Sequence, residues 1–377
     1  MNIPLNHIFS CSSCECTYEP SPNTLSCRSC EAPLNVIYYE ELSHSACPAG
    51  WTGPDIPLPV VQQSDYITLG EGNTPIVKLK NSNGVLPENV YAKLEYQNPT
   101  GSFKDRGTAI MLSVLNTMGV TELVEDSSGN AGASISAYSA NSNIRAHIFA
   151  PETTPLSKMI QIQIYGAETY SIPGTREDAT FAAREFAKKF SHIYASHNLS
   201  PYFIEGTKIF AYELFDQLAN EMPDDIIMPV GNGSLYLGMW KGINELHEKG
   251  LVTKIPRLHC VQARAVMPIV AAHNGEFWDK AKLGLTKAGG IAVGSPPRLH
   301  QVLDVLKKSN GSSIAVDEDE ITLWHTRLPK SEGIYAEPTS AAAFAGAQKL
   351  LERGVIESAS RVLIPVTGFG MKDKDPS

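Results

Sequence analysis

The sequence predicts an α/β protein built on mostly parallel sheet with helices on both faces, preceded by a small zinc ribbon. Three observations predict it. From Tyr66 onward, apolar strand-like runs alternate with helix-like ones. Three strand-to-helix junctions, at 98–107, 127–132 and 231–234, carry small polar or glycine-rich loops, the place where open α/β sheets bind ligands. Near the start, two C-x-x-C pairs stand twelve residues apart, the spacing of a zinc ribbon.

Composition bounds the rest. A chain of 377 residues, 42% hydrophobic, is long enough for two domains with cores of their own and an appendage. Thirty-one basic residues against forty acidic ones give a net charge of −9, which offers no global positive field to nucleic acid or an anionic membrane. The opening Met1-Asn2-Ile3-Pro4-Leu5 lacks the basic and apolar regions of a signal peptide, and no apolar run reaches the length of a membrane span. The expectation is a cytoplasmic protein with neither nucleic acid nor membrane as partner.

Taken in order, Cys11, Cys14, Cys27 and Cys30 lie on two short turns and supply four thiolates for a tetrahedral structural zinc, with no open position left for catalysis. Cys16 lies inside the loop and leaves the ligand set open; Cys47 and Cys260 read as free thiols. Residues 46–65, with Pro48, Pro54, Pro57 and Pro59, read as an extended linker. Val90 to Tyr96 reads as a strand, and Ala109, Ile110, Met111, Leu112, Val114 and Leu115 supply the buried face of the helix that follows. Between them, Ser102 and Asp105 form the S-x-x-D pattern of a capping box. Lys104 then falls in the first helical turn, where the positive end of the helix dipole favours a free amine over an ammonium ion. A free amine can form an imine.

The strand 122–126 runs into a turn, Ser127-Ser128-Gly129-Asn130-Ala131-Gly132, and a small-residue helix, 133–140. The turn reads as a helix cap with Asn130 left-handed. The strand 226–230 runs into Gly231-Asn232-Gly233-Ser234 and a helix with Leu235, Met239, Trp240, Ile243 and Leu246 on its apolar stripe. Its glycines let backbone N–H groups approach a phosphate closely, although such a loop also serves simply as a turn. Glu337-Pro338-Thr339-Ser340 leads into an alanine-rich helix, and 362–366 is a short apolar strand ending at Thr367, in which Pro365 points to an edge or a bulge.

The stretch Asn98-Pro99-Thr100-Gly101-Ser102-Phe103-Lys104-Asp105-Arg106-Gly107 resembles the cofactor-lysine segment of the threonine synthase family. These are fold-type II, tryptophan-synthase-β-like pyridoxal-phosphate enzymes. The resemblance extends from Leu69-Gly70-Glu71-Gly72-Asn73-Thr74-Pro75 to Thr367-Gly368-Phe369-Gly370, in the family's order, and some members carry a similar cysteine-rich segment in front. It implies two open, mostly parallel sheets and a pyridoxal phosphate held by Lys104 as a Schiff base. It further implies that Asn130 meets the cofactor's phenolic oxygen. Gly231, Asn232, Gly233, Ser234 and Leu235 would hold its phosphate, and Thr367 its ring nitrogen. Ser127 and Ser128 would face the substrate carboxylate. Glu337 admits two readings, as a residue near the cofactor or as an acidic group at a helix start.

The implied domains are a ribbon at 1–45, a large domain at 46–97 with 201–377, and a small domain at 98–200, with the cofactor in the cleft between the last two. The implied reaction converts O-phosphohomoserine and water to threonine and phosphate. Lys208, Lys158 and the hydroxyls of Ser157, Ser200 and Thr207 are candidate phosphate partners, Lys208 first among them. Ala131, Ser200 and Phe203 depart from the family, which usually has a hydroxyl residue, an asparagine and an arginine there. They keep open a dehydratase, an ammonia-lyase or a β-replacement enzyme such as a cysteate synthase. An inactive zinc- or cofactor-binding interaction module is the reading from outside enzymology. A homodimer is also left open.

Overall fold

The computed structural model describes residues 5–39, 46–48, 51–60, 62–80, 85–86, 89–154, 156–219 and 221–372, with the side chains of Ser157 and Lys282 outside that set. The described strands, in chain order, begin with β1 (His7–Cys11), β2 (Thr17–Tyr18), β3 (Leu34–Tyr38), β4 (Ile76–Lys78) and β5 (Val90–Lys93). Helix α1 (Lys104–Thr117), β6 (Glu122–Glu125), α2 (Asn130–Ala140), β7 (Arg145–Pro151), α3 (Leu156–Ile164), β8 (Glu168–Ile172), α4 (Arg176–Phe190), β9 (Ile193–Tyr194), α5 (Pro201–Thr207) and α6 (Ile209–Gln217) follow. The rest are β10 (Asp225–Pro229), α7 (Ser234–Glu248), β11 (Arg257–Ala263), α8 (Pro268–Asn274), α9 (Leu299–Lys308), β12 (Ser313–Val316), α10 (Glu318–Glu332), α11 (Pro338–Glu352) and β13 (Val362–Pro365).

The chain divides into two compact units, one from the residues up to Gly72 and Lys104–Ile209, the other from Asn73–Phe103 and Phe210 onward. In the first unit β2-β1-β3 form the antiparallel ribbon, and β8-β7-β6-β9 form a parallel sheet. Helix α4 shows how local sequence fixes an element. Thr175 and Asp178 close a capping box at its start, and Ala179, Ala183 and Ala187 recur at helical spacing on its buried face. Helix α1 is buried at every position from Asp105 to Leu115, and packs against α2 and α5. The stretch expected as an extended linker is folded onto this unit. Ile56, Leu58 and Val60 are buried, Ala46 N donates to Val60 O, and Asn6 Nδ2 donates to Leu58 O.

The second unit has one sheet, ordered β12-β11-β10-β13-β5-β4, parallel except for β4. Its core gathers Ile227, Val261, Ile314 and Ile364 from the strands against Trp324 and Phe344, whose rings stack 5.9 Å apart. Pro365 is therefore not on an edge strand, as its identity suggested, since β13 lies between β10 and β5. Pairing with β10 reaches only Leu363, while Val366 N donates to Lys93 O of β5. The missing N–H of Pro365 faces the side on which pairing has already ended, so no ladder bond is lost.

The expected strand 90–96 stops at Lys93, because Glu95 opens a 3₁₀ turn, Glu95–Gln97. Glu95 is buried and accepts Thr74 Oγ1 at 2.6 Å, and Asn98 Nδ2 donates to its carbonyl at 2.7 Å. Beside it, Lys93 Nζ lies 2.6 Å from Glu213, which also accepts Asn73 N and Thr74 N. This buried network anchors 73–75 and the loop that leads to Lys104. Breaking a buried ion pair by deleting one partner costs about 3–5 kcal/mol. Glu213→Ala is expected to destabilise the protein by that amount, read as a lowered denaturation midpoint, with Lys93→Ala similar and the double variant milder than the sum.

Candidate active site

Lys104 is the first residue of α1, half-buried, with its Nζ 5.5 Å from the centre of the Phe203 ring. The expected capping box does not form. Because the helix begins at Lys104, Phe103 takes the cap position, while Ser102 is bridged to Gly368. The buried Ser102 Oγ has no hydrogen-bond partner among the described residues.

Strand β6 ends at Glu125 and the turn after it places Ser127 in the interior, with Ser128 and Asn130 half-buried. Asn130 is not left-handed as expected. Gly129 is the N-cap and Asn130 the first residue of α2, with Gly129 N donating to Ser127 Oγ at 3.3 Å. A Cβ at position 132 would overlap the Ser127 carbonyl oxygen, so only glycine permits this tight turn. Ala131 is buried.

In the second unit, Gly231-Asn232-Gly233 connects β10 to α7, whose first residues are Ser234 and Leu235. Gly233 caps the helix at φ +87°, and a Cβ on Gly231 would press on Gly290 O. The loop thus presents bare backbone at the positive end of a 15-residue helix, whose first N–H groups have no acceptor within the helix. This is the donor set a phosphate group requires. Thr367, buried just beyond β13, donates from Oγ1 to Glu337 Oε1 at 2.9 Å and lies 2.8 Å from Ser340 Oγ. Phe103 N donates to Thr367 O. Glu337 is the residue capping α11, as the helix-start reading has it, and it is also a partner of the Thr367 hydroxyl.

Among the candidate phosphate partners, Lys208 is fully buried, 2.7 Å from Glu205 Oε2, with its Nζ 4.7 Å above the Tyr38 ring of β3. A phosphate would have to compete with Glu205 for it. The Thr207 hydroxyl donates to Ile204 O, Ser200 caps α5 without a side-chain bond, Lys158 is half-buried on α3, and the side chain of Ser157 lies outside the described residues. Phe203, where the resemblance favours arginine, is fully buried beneath Lys104.

Sequence reasoning missed a buried pair beside Lys104. Glu125 Oε1 lies 2.7 Å from His197 Nδ1, and His197 N donates to Glu125 Oε2 at 3.2 Å. Desolvation pushes the Glu125 carboxyl well above its usual range, with Asp126 adding to the effect. Desolvation holds His197 well below the imidazole range, helped by Lys104. An acidic residue at the end of a strand was the only sequence signal.

In the ribbon, the sulfurs of Cys11, Cys14, Cys27 and Cys30 form one cluster, with Cys11–Cys30 at 3.4 Å and Cys14–Cys27 at 3.5 Å. Zinc bonded to four sulfurs at about 2.3 Å needs edges of roughly 3.8 Å, so the cluster can hold one structural zinc with little adjustment. The Tyr18 hydroxyl, 3.0 Å away, and the Ser29 N–H favour the thiolate of Cys27, lowering it to about 5. Cys16 is exposed and outside the cluster, and Cys260 is buried, with burial pushing its thiol up.

The family described as pyridoxal-phosphate dependent enzymes matches residues 67–368, and the chain belongs to it as a pyridoxal-phosphate-dependent lyase. It is 35% identical to the threonine synthase of Methanocaldococcus jannaschii over 97% of this chain and 93% of that protein, and 37% identical to the threonine synthase of a Bacillus species over 84% of this chain and 88% of that one. Among solved structures it resembles a pyridoxal 5'-phosphate-dependent aspartate racemase, with TM-score 0.70 and 21% identity over 84% of this chain and 97% of that one. A fungal L-serine ammonia-lyase from Rhizomucor miehei gives TM-score 0.70 and 22% identity over 79% and 94%. These two likenesses concern the fold. Among the described residues, no helix is long and apolar enough to cross a membrane.

Proposed function

We propose that this protein is a threonine synthase, converting O-phospho-L-homoserine and water to L-threonine and phosphate. The observation that carries the reading is the near full-length match, ribbon included, to a threonine synthase. Lys104 attaches the cofactor covalently and, once released by the substrate amine, moves protons at the substrate's α and β carbons as base and acid. The bound cofactor supplies an electron sink for negative charge developing at the α-carbon. Asn130 and the N–H groups of Gly231 to Leu235 orient it, and Ser127 and Ser128, with the first turn of α2, receive the substrate carboxylate. Thr367 would turn its one hydroxyl proton from Glu337 Oε1 to the ring nitrogen, and a hydroxyl partner in place of a direct carboxylate leaves that nitrogen largely unprotonated and favours expulsion of a leaving group over transamination.

Lys208 is the proposed cation for the substrate phosphate, by exchange with Glu205. In this reading the enzyme is cytoplasmic and acts on a small amino acid, without nucleic acid or membrane partners, and a homodimer stays open. Phe203 favours a second reading, since an apolar ring beneath Lys104 removes a charged contact from the substrate side and suits a dehydratase, ammonia-lyase or β-replacement reaction.

The test is a product screen of cofactor-loaded protein with O-phosphohomoserine, O-phosphoserine, threonine and serine. Threonine and phosphate should appear in equal amounts from the first. A 2-oxo acid and ammonia from threonine or serine, with no phosphate from O-phosphohomoserine, would select the second reading. If Lys208 serves the phosphate, Lys208→Ala weakens O-phosphohomoserine about ten- to a hundred-fold more than threonine, the loss of one charge-assisted contact. Equal losses would leave Lys208 with the structural role of its Glu205 pair.

A further inference from the structure

The first unit holds a pair of buried titratable groups to which the proposed reaction assigns no part. Glu125 and His197 come from the end of β6 and the loop before α5, and meet through two hydrogen bonds, Oε1 to Nδ1 and Oε2 to the His197 backbone N–H. The imidazole stands edge-on to the Phe203 ring, centroids 5.7 Å apart at 64°, and the same ring lies beneath Lys104 Nζ. Carboxyl, imidazole, phenyl ring and amine form one continuous stack.

We propose that Glu125 and His197 form a positioning dyad that seats Phe203 beneath Lys104 and, by holding or releasing one shared proton, sets the pH above which the Lys104 amine is free. With the proton in place the carboxyl donates to Nδ1, and no fixed anion of the dyad faces Lys104. When the proton leaves to solvent, a buried carboxylate remains within electrostatic reach, and a carboxylate there retains Lys104 as ammonium. The directions of both ionisations, raised for Glu125 and lowered for His197, agree with one proton shared between two neutral groups. Among the described residues, the other charged or titratable groups facing the dyad are Lys104 on α1, Asp126 beside Glu125, Arg176 on α4 and Tyr194 on β9. Asp126 accepts from the hydroxyls of Thr180 and Tyr194. The inference rests on the reading of Lys104 as the cofactor lysine.

The experiment uses the full chain freed of cofactor and measures the rate of amine labelling at Lys104, by peptide mass spectrometry, from neutral to alkaline pH. Wild type should show a two-step profile, with labelling held back once the dyad loses its proton. Glu125→Gln keeps the shape and both hydrogen bonds but cannot ionise, so it should show a single step and label about tenfold faster on the alkaline limb, the equivalent of about one pKa unit. Superimposable profiles would overturn the proposal. Should Glu125→Gln fail to fold, His197→Asn, which keeps an acceptor for the carboxyl proton, should shift the alkaline step by about one unit, and an unmoved step would overturn it equally. Borohydride reduction of the same protein loaded with cofactor tests the assignment of Lys104 separately. A label on another lysine would sink that assignment, while the labelling profile still decides whether the dyad governs Lys104.

Discussion

Lys104→Ala is expected to bind pyridoxal phosphate without a covalent link and to lose activity by at least about 10²–10⁴-fold, the usual contribution of a positioned proton-transferring group. The lost attachment makes this a lower limit. The expectation follows from placement, since Lys104 begins a buried 14-residue helix, with the flat face of Phe203 below its amine. Arginine in its place would keep the stacking on Phe203 but offers no nucleophilic amine. Lys104→Arg should therefore be as inactive as Lys104→Ala while unfolding at nearly the wild-type temperature. Kinetics and a melting curve on both variants check this.

Loss of the zinc cluster is expected to have the second largest effect, and to reach beyond the ribbon. A Cys₄ site contributes its binding energy directly to folding, so Cys11→Ser or Cys27→Ser should reduce bound zinc below one per chain and unfold β1 to β3. Those strands are tied to α5. His7 Nε2 lies 3.0 Å from the Tyr202 hydroxyl, and the Tyr38 hydroxyl donates to Glu205 at 2.6 Å, beside the buried Lys208. Withdrawing the Tyr38 donor from a buried carboxylate costs about 1.5–3 kcal/mol, and the remaining protein should melt on the order of 5–10 °C lower. Tyr38→Phe should reproduce that destabilisation with zinc intact, which separates the docking contact from the metal. Metal analysis and calorimetry read both. Full zinc content in Cys27→Ser would exclude Cys27 as a ligand.

What the sequence revealed, and what it concealed, follows the range of the interactions. The cysteine pairs, the lysine at a strand-to-helix junction and the glycine cradle are local patterns, and each falls on the element expected. Pro365 misled because strand order is a long-range property. β13 is last in the chain yet lies between β10 and β5, and only the register shows that the proline nitrogen faces a finished ladder. The capping box at Ser102 failed for a similar reason, since a bridge to Gly368 holds Ser102 outside the helix. Glu125 and His197 stand 72 residues apart with no motif linking them. Glu213 meets Lys93 across a gap of 120 residues. Buried polar pairs of this kind are satisfied only by the fold, so their partners cannot be read from spacing.

Lys104 is the proposed lysine through which this enzyme holds its cofactor. Borohydride reduction of the pyridoxal-phosphate-loaded protein, followed by proteolysis and peptide mapping, tests it most directly. One reduced, cofactor-bearing peptide is predicted, containing Phe103-Lys104-Asp105, and it should be absent from Lys104→Ala. A stable cofactor label on any other lysine, with the Lys104 peptide recovered unmodified, would contradict the account.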